Sequence, residues 1–142
     1  MNTKSLISLV LESNNLRGGG ETEETVVSSL VDVLMTLSRQ TYRLDQLNEL
    51  VVTHDGLSRH HLEQIRGKIA LPQLEFVEID STDGYYKAKN IGFDRTSSEV
   101  VVFADADCMP KENWLEKIVE PFLEAQQQQI ELPPVVAGRT TY

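Results

Sequence analysis

The sequence predicts an α/β fold, with a mostly parallel β-sheet flanked by helices. Short apolar runs alternate along the chain with longer segments whose apolar residues recur at helical spacing, and strands that alternate with helices form βαβ units. The apolar runs are bounded by polar residues, as in buried strands. The length of 142 residues fits a single domain, residues 1–142, with a core of its own.

The first half of the chain contains two predicted strands and two predicted helices. Residues 5–11 predict a buried strand, and residues 25–40 place apolar side chains on one face of a helix. Residues 47–54 predict the second strand, which ends at the turn signal Asp55-Gly56. Residues 57–68 predict the second helix.

The second half repeats the alternation. Residues 74–79 predict a third strand, the loop that follows enters a helix near Gly84, and residues 99–104 form the most apolar predicted strand. Pro110 precedes a predicted helix over residues 111–126. Residues 133–142 predict the beginning of a further strand.

Charge and composition exclude several classes of function. The chain carries 13 basic and 22 acidic residues, a formal net charge of −9, which argues against a nucleic-acid or anionic-membrane surface. The single cysteine, Cys108, cannot form an internal disulfide. There is neither a signal-peptide pattern nor an apolar stretch near the roughly 18 residues of a transmembrane helix. We therefore expect a cytoplasmic protein without a transmembrane segment.

An acidic pair ends the most apolar predicted strand. Asp105 and Asp107 are separated by one alanine, so both carboxylates point into one crevice if the strand continues that far. Two such carboxylates suit Mg²⁺ or Mn²⁺, which complete their coordination with water and phosphate oxygens. The alternative is that both acids precede and cap the next helix. The position at the carboxyl end of a strand favours the metal site.

A second candidate is the segment from Gly84 to Gly92. Lys87 and Lys89 lie near a predicted helix start, where backbone N–H groups and the helix dipole favour anions. A lysine there could bind a phosphate group, and the alternative is a solvated helix face.

Together these motifs resemble the nucleotide-binding half of the family 2 glycosyltransferases, which have the Rossmann-like GT-A fold. The family's Pro-x-Tyr-Asn segment corresponds to ESNN (12–15), and its Val-Asp-Asp-Gly-Ser turn to THDGL (53–57). Its Gly-x-x-x-Ala-Arg-Asn-x-Gly segment corresponds to GYYKAKNIG (84–92), and its Asp-x-Asp strand end to FADADCMP (103–110), followed by Trp114-Leu115. The resemblance covers nearly the whole chain, with the motifs in the right order.

The resemblance implies a role for each matching residue. Asp55 would hydrogen-bond the nucleotide base, and Ser13 with its neighbours Glu12 and Asn14 would line the base and ribose pocket. Three further residues would contact other parts of the donor or the metal ion. Lys89 would approach the diphosphate, Asp105 would contact the ribose or the metal, and Asp107 would coordinate Mn²⁺ or Mg²⁺. The donor would be a nucleotide-diphosphate sugar, with a UDP-sugar favoured.

The sequence departs from the family pattern at several of these positions. Glu12 stands where proline is common, Asn14 where tyrosine is common, and His54 where an acid is common. Lys89 replaces an arginine, which keeps the charge but loses the planar fork.

The resemblance also implies that the acceptor site and the catalytic base lie beyond residue 142, in a second half of the fold. We therefore expect a donor-binding domain that is excised or naturally truncated. We assign no catalytic residue within this chain. The family's mechanism is inverting, with a base deprotonating the acceptor hydroxyl. An unfinished sheet is also compatible with a homodimer.

Two other classes of function remain open from the residues alone. The first is a phosphatase with Asp105 as nucleophile, although that motif normally sits on the first strand. The second is a non-catalytic interaction module, because fold does not fix function; it would bind no nucleotide.

Overall fold

The computed structural model of the chain describes residues 5–13 and 21–138. Its sheet has four strands, β1 (Ile7–Glu12), β2 (Leu50–His54), β3 (Leu74–Glu78) and β4 (Val100–Asp105). Its helices are α1 (Glu23–Ser38), α2 (Arg59–Lys68), α3 (Tyr85–Asp94) and α4 (Trp114–Gln127), with a 3₁₀ turn at Leu44–Gln46. All strand pairings are parallel, which confirms the predicted α/β class.

The strand order is β3-β2-β1-β4, and it fixes where a ligand can bind. The chain adds β2 and β3 on one side of β1 and then crosses back to add β4 on the other side. In open parallel sheets such a reversal opens a crevice at the carboxyl ends of the two strands that flank it. Here those strands are β1 and β4.

The central strand β1 is buried on both faces, as expected in a parallel sheet covered by helices. Its side chains alternate between the faces. Ile7, Leu9 and Leu11 join the main apolar core with residues of α1 and α4. On the other face Val10 lies under Gly92 of α3, and Glu12 lies beside Lys89.

The helix that follows β4 begins later than predicted, at Trp114 rather than residue 111. The buried Gln40 side chain explains this start. Its Nε2 donates to the Lys111 carbonyl at 2.7 Å, and its Oε1 accepts from the Leu115 N–H at 2.9 Å. One glutamine thus contacts backbone groups on both sides of the helix start, and it satisfies the Leu115 N–H, which lies in the first turn and has no acceptor within the helix.

The predicted C-terminal strand is wrong within residues 133–138, none of which is in a strand. Residues 139–142 lie outside the described part. Pro133 and Pro134 lack the N–H groups that a strand would donate. The segment instead packs against the core through Leu132 and Val136, and Gly138 lies against Trp114 of α4.

Among the helices of the described residues, none is long and apolar enough to cross a membrane.

Candidate functional site

The crevice between β1 and β4 collects acidic side chains at its carboxyl edge. Glu12 and Asp105 are register partners at the ends of the two strands, and the Ala106 N–H extends the ladder by donating to the Glu12 carbonyl at 3.0 Å. Because paired residues in parallel strands point to the same face, both carboxylates lie on the side of the sheet that α3 covers. Glu12 is only 6% exposed.

Helix α3 approaches this crevice closely because its inner face is small. Ala88 is fully buried, and a Cβ added to Gly92 would lie 2.5 Å from Cγ1 of Val10 and 3.2 Å from Cγ2 of Thr53. Only glycine permits this approach to β1 and β2. The close contact brings the next residue after Ala88, Lys89, down to the strand ends.

Lys89 is the cation in contact with both carboxylates. Its Nζ lies 2.7 Å from Asp105 Oδ1 and 3.5 Å from Glu12 Oε2. The ammonium also lies over the rings of Tyr85 and Phe103, at 4.6 and 5.7 Å from their centroids. Burial favours the neutral amine, but the hydrogen bond and charge of Asp105 outweigh it and raise the pKa of Lys89 above its ordinary value.

Tyr85 was not selected from the sequence, yet it belongs to the site. Its hydroxyl donates to Asp105 Oδ2 at 3.2 Å, so that each oxygen of this carboxylate has a hydrogen-bond donor. Partial burial raises the pKa of Tyr85, which keeps the hydroxyl protonated as a donor. The signal available in the sequence was the spacing of four residues between Tyr85 and Lys89, which places them on one helix face.

The strand does not continue to Asp107, contrary to the condition set by the sequence. β4 ends at Asp105, and a turn follows in which the Cys108 N–H donates to the Asp105 carbonyl at 3.1 Å. The turn still gathers the side chains, because one ligand atom each from Asp105, Asp107 and Cys108 lies within 4.8 Å of the others. Asp107 and Cys108 are both exposed.

Cys108, next to this acidic pair, is an exposed free thiol. Partial desolvation and the nearby charges of Asp107 and Asp105 raise its pKa above the ordinary value. Deprotonation of this thiol is therefore disfavoured unless a cation neutralises the two carboxylates.

The end of β2 supplies a second part of the same edge. The buried His54 side chain accepts the N–H of Leu57 at its Nδ1, at 3.1 Å, and thereby fixes the turn that carries Asp55. Gly56 has a φ of 122°, which side-chain-bearing residues rarely adopt. Desolvation lowers the pKa of His54, so it stays a neutral acceptor. Asp55 is half-buried.

Three other predicted residues have different outcomes. The Ser13 N–H donates to the Thr53 carbonyl at 3.0 Å, which joins the segment after β1 to β2 at the carboxyl edge of the sheet. Asn14 lies outside the described residues. Lys87, the other lysine of α3, pairs with Asp83 at 2.5 Å. Its ionic partner therefore differs from those of Lys89, which are Glu12 and Asp105.

The arrangement is chemically suited to a divalent cation and a phosphate group. Carboxylate oxygens are preferred ligands of Mg²⁺ and Mn²⁺, and an exposed turn leaves room for further oxygen ligands. The carboxylates of Asp105 and Asp107 therefore fit a cation of this class, whereas the thiol of Cys108 is a softer ligand that such cations do not prefer. Lys89 lies in the second turn of α3, and the N-terminus of that helix also favours an anion.

Comparison with known proteins identifies relatives of one class. The sequence profile described as glycosyl transferase family 2 matches residues 24–132. The chain is 33% identical over 86 residues to glycosyltransferase AglE of Haloferax volcanii, which is 59% of this chain and 28% of that protein. It is 28% identical over 76 residues to polypeptide N-acetylgalactosaminyltransferase 12 of Mus musculus, covering 52% of this chain and 13% of that protein.

Solved structures share the fold. TarS of S. aureus (residues 1–349) superposes with a TM-score of 0.63 at 18% identity, over 84% of this chain and 33% of that one. Glucosyl-3-phosphoglycerate synthase of Mycobacterium tuberculosis, solved with Mn²⁺, UDP and glucosyl-3-phosphoglycerate, gives a TM-score of 0.57 at 23% identity, over 84% and 40% of the two chains. This chain therefore spans well under half the length of each of these relatives.

Proposed function

Since the chain belongs to glycosyl transferase family 2, we propose that it binds a nucleotide-diphosphate sugar together with Mn²⁺ or Mg²⁺. The observation that carries the proposal is the convergence of Lys89, Asp105 and Asp107 at the β1–β4 crevice. The proposed role of the whole protein is transfer of a hexosyl group to an acceptor hydroxyl with inversion. Family membership favours this role over the phosphatase and the non-catalytic module.

A UDP-sugar is the favoured donor. Support comes from fold neighbours solved with UDP, which include TarS and the mycobacterial synthase. In the proposed arrangement Asp55 hydrogen-bonds the base, while Glu12, Ser13 and Asn14 line the base and ribose pocket. His54 and Gly56 shape the turn that carries Asp55, and in this proposal that turn presents Asp55 to the base.

The diphosphate is proposed to lie over the turn after β4. Asp107 and Asp105 would hold the cation, with phosphate and water oxygens completing its coordination. The cation, when bound, would neutralise the charge that grows on the leaving diphosphate. Lys89 would add its positive charge from the other side, and the half-buried crevice strengthens that attraction.

The acceptor site and catalytic base are proposed to lie outside this sequence. The described site contains anion- and cation-binding groups, and the chain spans only 28% of AglE. The 142-residue chain should therefore bind the donor and transfer sugar poorly by itself. Robust transfer to an added acceptor by this chain alone would contradict that part of the proposal.

The experiment is calorimetric titration of UDP, GDP, CDP and dTDP, each with and without Mn²⁺. We expect UDP to bind with Mn²⁺, and Asp107→Asn to weaken that binding by about tenfold or more, the usual effect of disturbing a metal's ligand sphere. Asp94→Asn, a change of an exposed aspartate at the end of α3, is the matched control and should bind like the native chain. Folded protein that binds none of the four nucleotides would overturn the proposal and favour a non-catalytic module.

A further inference from the structure

Asp105 can contact two positively charged partners, and these two partners repel each other when both contact it. One partner is present in the fold, because Lys89 Nζ donates to Asp105 Oδ1 at 2.7 Å. The other is the divalent cation of the proposed function, since Asp105 also belongs to the ligand group with Asp107 and Cys108.

The contacts of Lys89 show that it is held firmly in this position. Its side chain is only 18% exposed. Glu12 lies 3.5 Å away on one side, and the rings of Tyr85 and Phe103 lie beneath the ammonium. The lysine thus provides the nearby positive charge that makes the burial of Glu12 at the end of β1 tolerable.

We propose that Lys89 is an internal counter-ion that competes with the divalent cation for Asp105 and turns to the donor's diphosphate when the cation binds. The inference rests on the proposed function. An ammonium and a dication that contact the same carboxylate repel each other, and half-burial reduces the screening of that repulsion. The cation therefore binds weakly alone and more tightly once a diphosphate receives the lysine.

The consequence is a coupling between cation and nucleotide that depends on one side chain. Each ligand strengthens the other by the same factor, as linkage requires. Without Lys89 the cation meets less repulsion, while the diphosphate loses a positive partner. Removing the lysine should therefore move the two affinities in opposite directions, which a merely structural role would not do.

The test is direct measurement of Mn²⁺ binding without nucleotide, from the electron paramagnetic resonance signal of the free ion. We expect Lys89→Gln to bind Mn²⁺ about five- to tenfold more tightly than the native chain, within the usual range of such couplings. Its affinity for UDP at saturating Mn²⁺ should fall by a similar factor. Lys89→Arg keeps the charge and should retain the weak Mn²⁺ binding of the native chain.

Lys87→Gln is the matched control. It removes the same charge from the same helix, but Lys87 pairs with Asp83 and is largely exposed. Solvent screening should keep its effect on Mn²⁺ affinity below about twofold. An equal gain in Lys87→Gln and Lys89→Gln would mean that net charge alone sets the affinity, and would overturn the inference.

A second measurement uses the native chain, in case Lys89→Gln fails to fold. The side-chain ¹⁵N resonance of Lys89 should shift on titration with diamagnetic Mg²⁺, whereas that of Lys87 should not. An unmoved Lys89 signal in a chain that binds Mg²⁺, or unchanged or weaker Mn²⁺ binding by folded Lys89→Gln, would overturn the inference and leave the donor site standing. Absence of cation binding to both folded proteins would remove the metal site itself, whereas binding only by Lys89→Gln would support the inference.

Discussion

Two carboxylates in this chain make hydrogen-bonded contacts of nearly equal length in different settings. Where α1 meets α2, Glu23 accepts the Ser58 N–H and contacts His61 Nδ1, both at 2.6 Å. At the strand ends, Asp105 accepts from Lys89 at 2.7 Å. Both carboxylates have hydrogen-bond donors, but Asp105 also has Glu12 and Asp107 as acidic neighbours.

The difference separates a structural cluster from a binding cluster. The Ser58 backbone N–H is the largest of the causes that lower the pKa of Glu23 from 4.5 to about 2, so this carboxylate needs no further partner. At the crevice one ammonium faces the carboxylates of both Glu12 and Asp105. In the turn after β4 the carboxylates of Asp105 and Asp107 lie close together, and neighbouring carboxylates of this kind attract a cation. Five experiments test this contrast.

The largest effect on stability is expected from Gly92→Ala, because the binding cluster depends on the close approach of α3. The added Cβ would lie 2.5 Å from Val10, and overpacking of this kind costs about 1–3 kcal/mol. Urea unfolding measures the loss, and displacement of Lys89 should also weaken UDP binding. Gly67→Ala in α2 has nothing within 4 Å and should be neutral or stabilising by up to about 1 kcal/mol. Equal effects of the two changes would contradict the packing role of Gly92.

Glu23→Gln tests the structural cluster. It removes a charge-assisted hydrogen bond, and we expect a loss of about 1–2 kcal/mol after allowance for partial exposure. Nucleotide binding should not change. Glu24→Gln, the exposed neighbour, should change stability by less than about 0.5 kcal/mol.

The contribution of Glu23 to the free energy of unfolding should depend on pH. Because folding lowers the pKa of Glu23 from 4.5 to about 2, its stabilisation is complete above pH 4.5 and is lost as the pH falls toward 2. The difference in unfolding free energy between native protein and Glu23→Gln should shrink over that range. A constant difference would exclude the ionised form as the stabilising species.

His54 should produce a smaller dependence near neutral pH. Burial lowers its pKa below 6.5, so the unfolded chain binds a proton more readily than the folded chain. Stability is complete above pH 6.5 and decreases as the pH falls below it, by at most about 1.4 kcal/mol per pH unit for this group. Urea unfolding of the native chain and of His54→Gln between pH 7.5 and 5 isolates the contribution. A native chain that is no more acid-sensitive than the variant would contradict it.

The smallest effect on stability is expected from Asp107→Asn. Asp107 is exposed in a turn, and removal of its charge relieves repulsion with Asp105, so the unfolding free energy should change by less than about 0.5 kcal/mol. The same change should weaken Mn²⁺-dependent UDP binding. A destabilisation as large as that of Glu23→Gln would mean that Asp107, like Glu23, stabilises the fold, and would contradict its role in binding alone.

The order of the elements was predictable because local patterns carry it. The four strands and four helices lie where apolar runs and helical spacing predict them, with ends shifted by a few residues. The late start of α4 was not predictable, since it depends on Gln40, a residue far away in sequence. The prediction of a C-terminal strand was wrong because an apolar pattern does not reveal whether a segment will hydrogen-bond to the edge of a sheet.

The candidate site was predictable in part. The motif residues Asp105 and Lys89 were selected from the sequence, and the structure places them in contact. The contact between Lys89 and Glu12 and the hydrogen bond from Tyr85 were not predicted. Both depend on which face of β1 and β4 receives α3, and an apolar strand buried on both faces does not signal that choice.

The sequence by itself therefore determined the α/β class, the family and the identities of the acidic and basic residues at the strand ends. These features are written in local periodicity and in short motifs whose order is visible along the chain. Only the tertiary structure decided that β4 lies beside β1. It also decided that α3 packs closely at Gly92, so that Lys89 contacts Asp105. The physical reason is that charge pairing and close packing act over a few ångströms between residues distant in sequence, and chain order alone does not specify those distances.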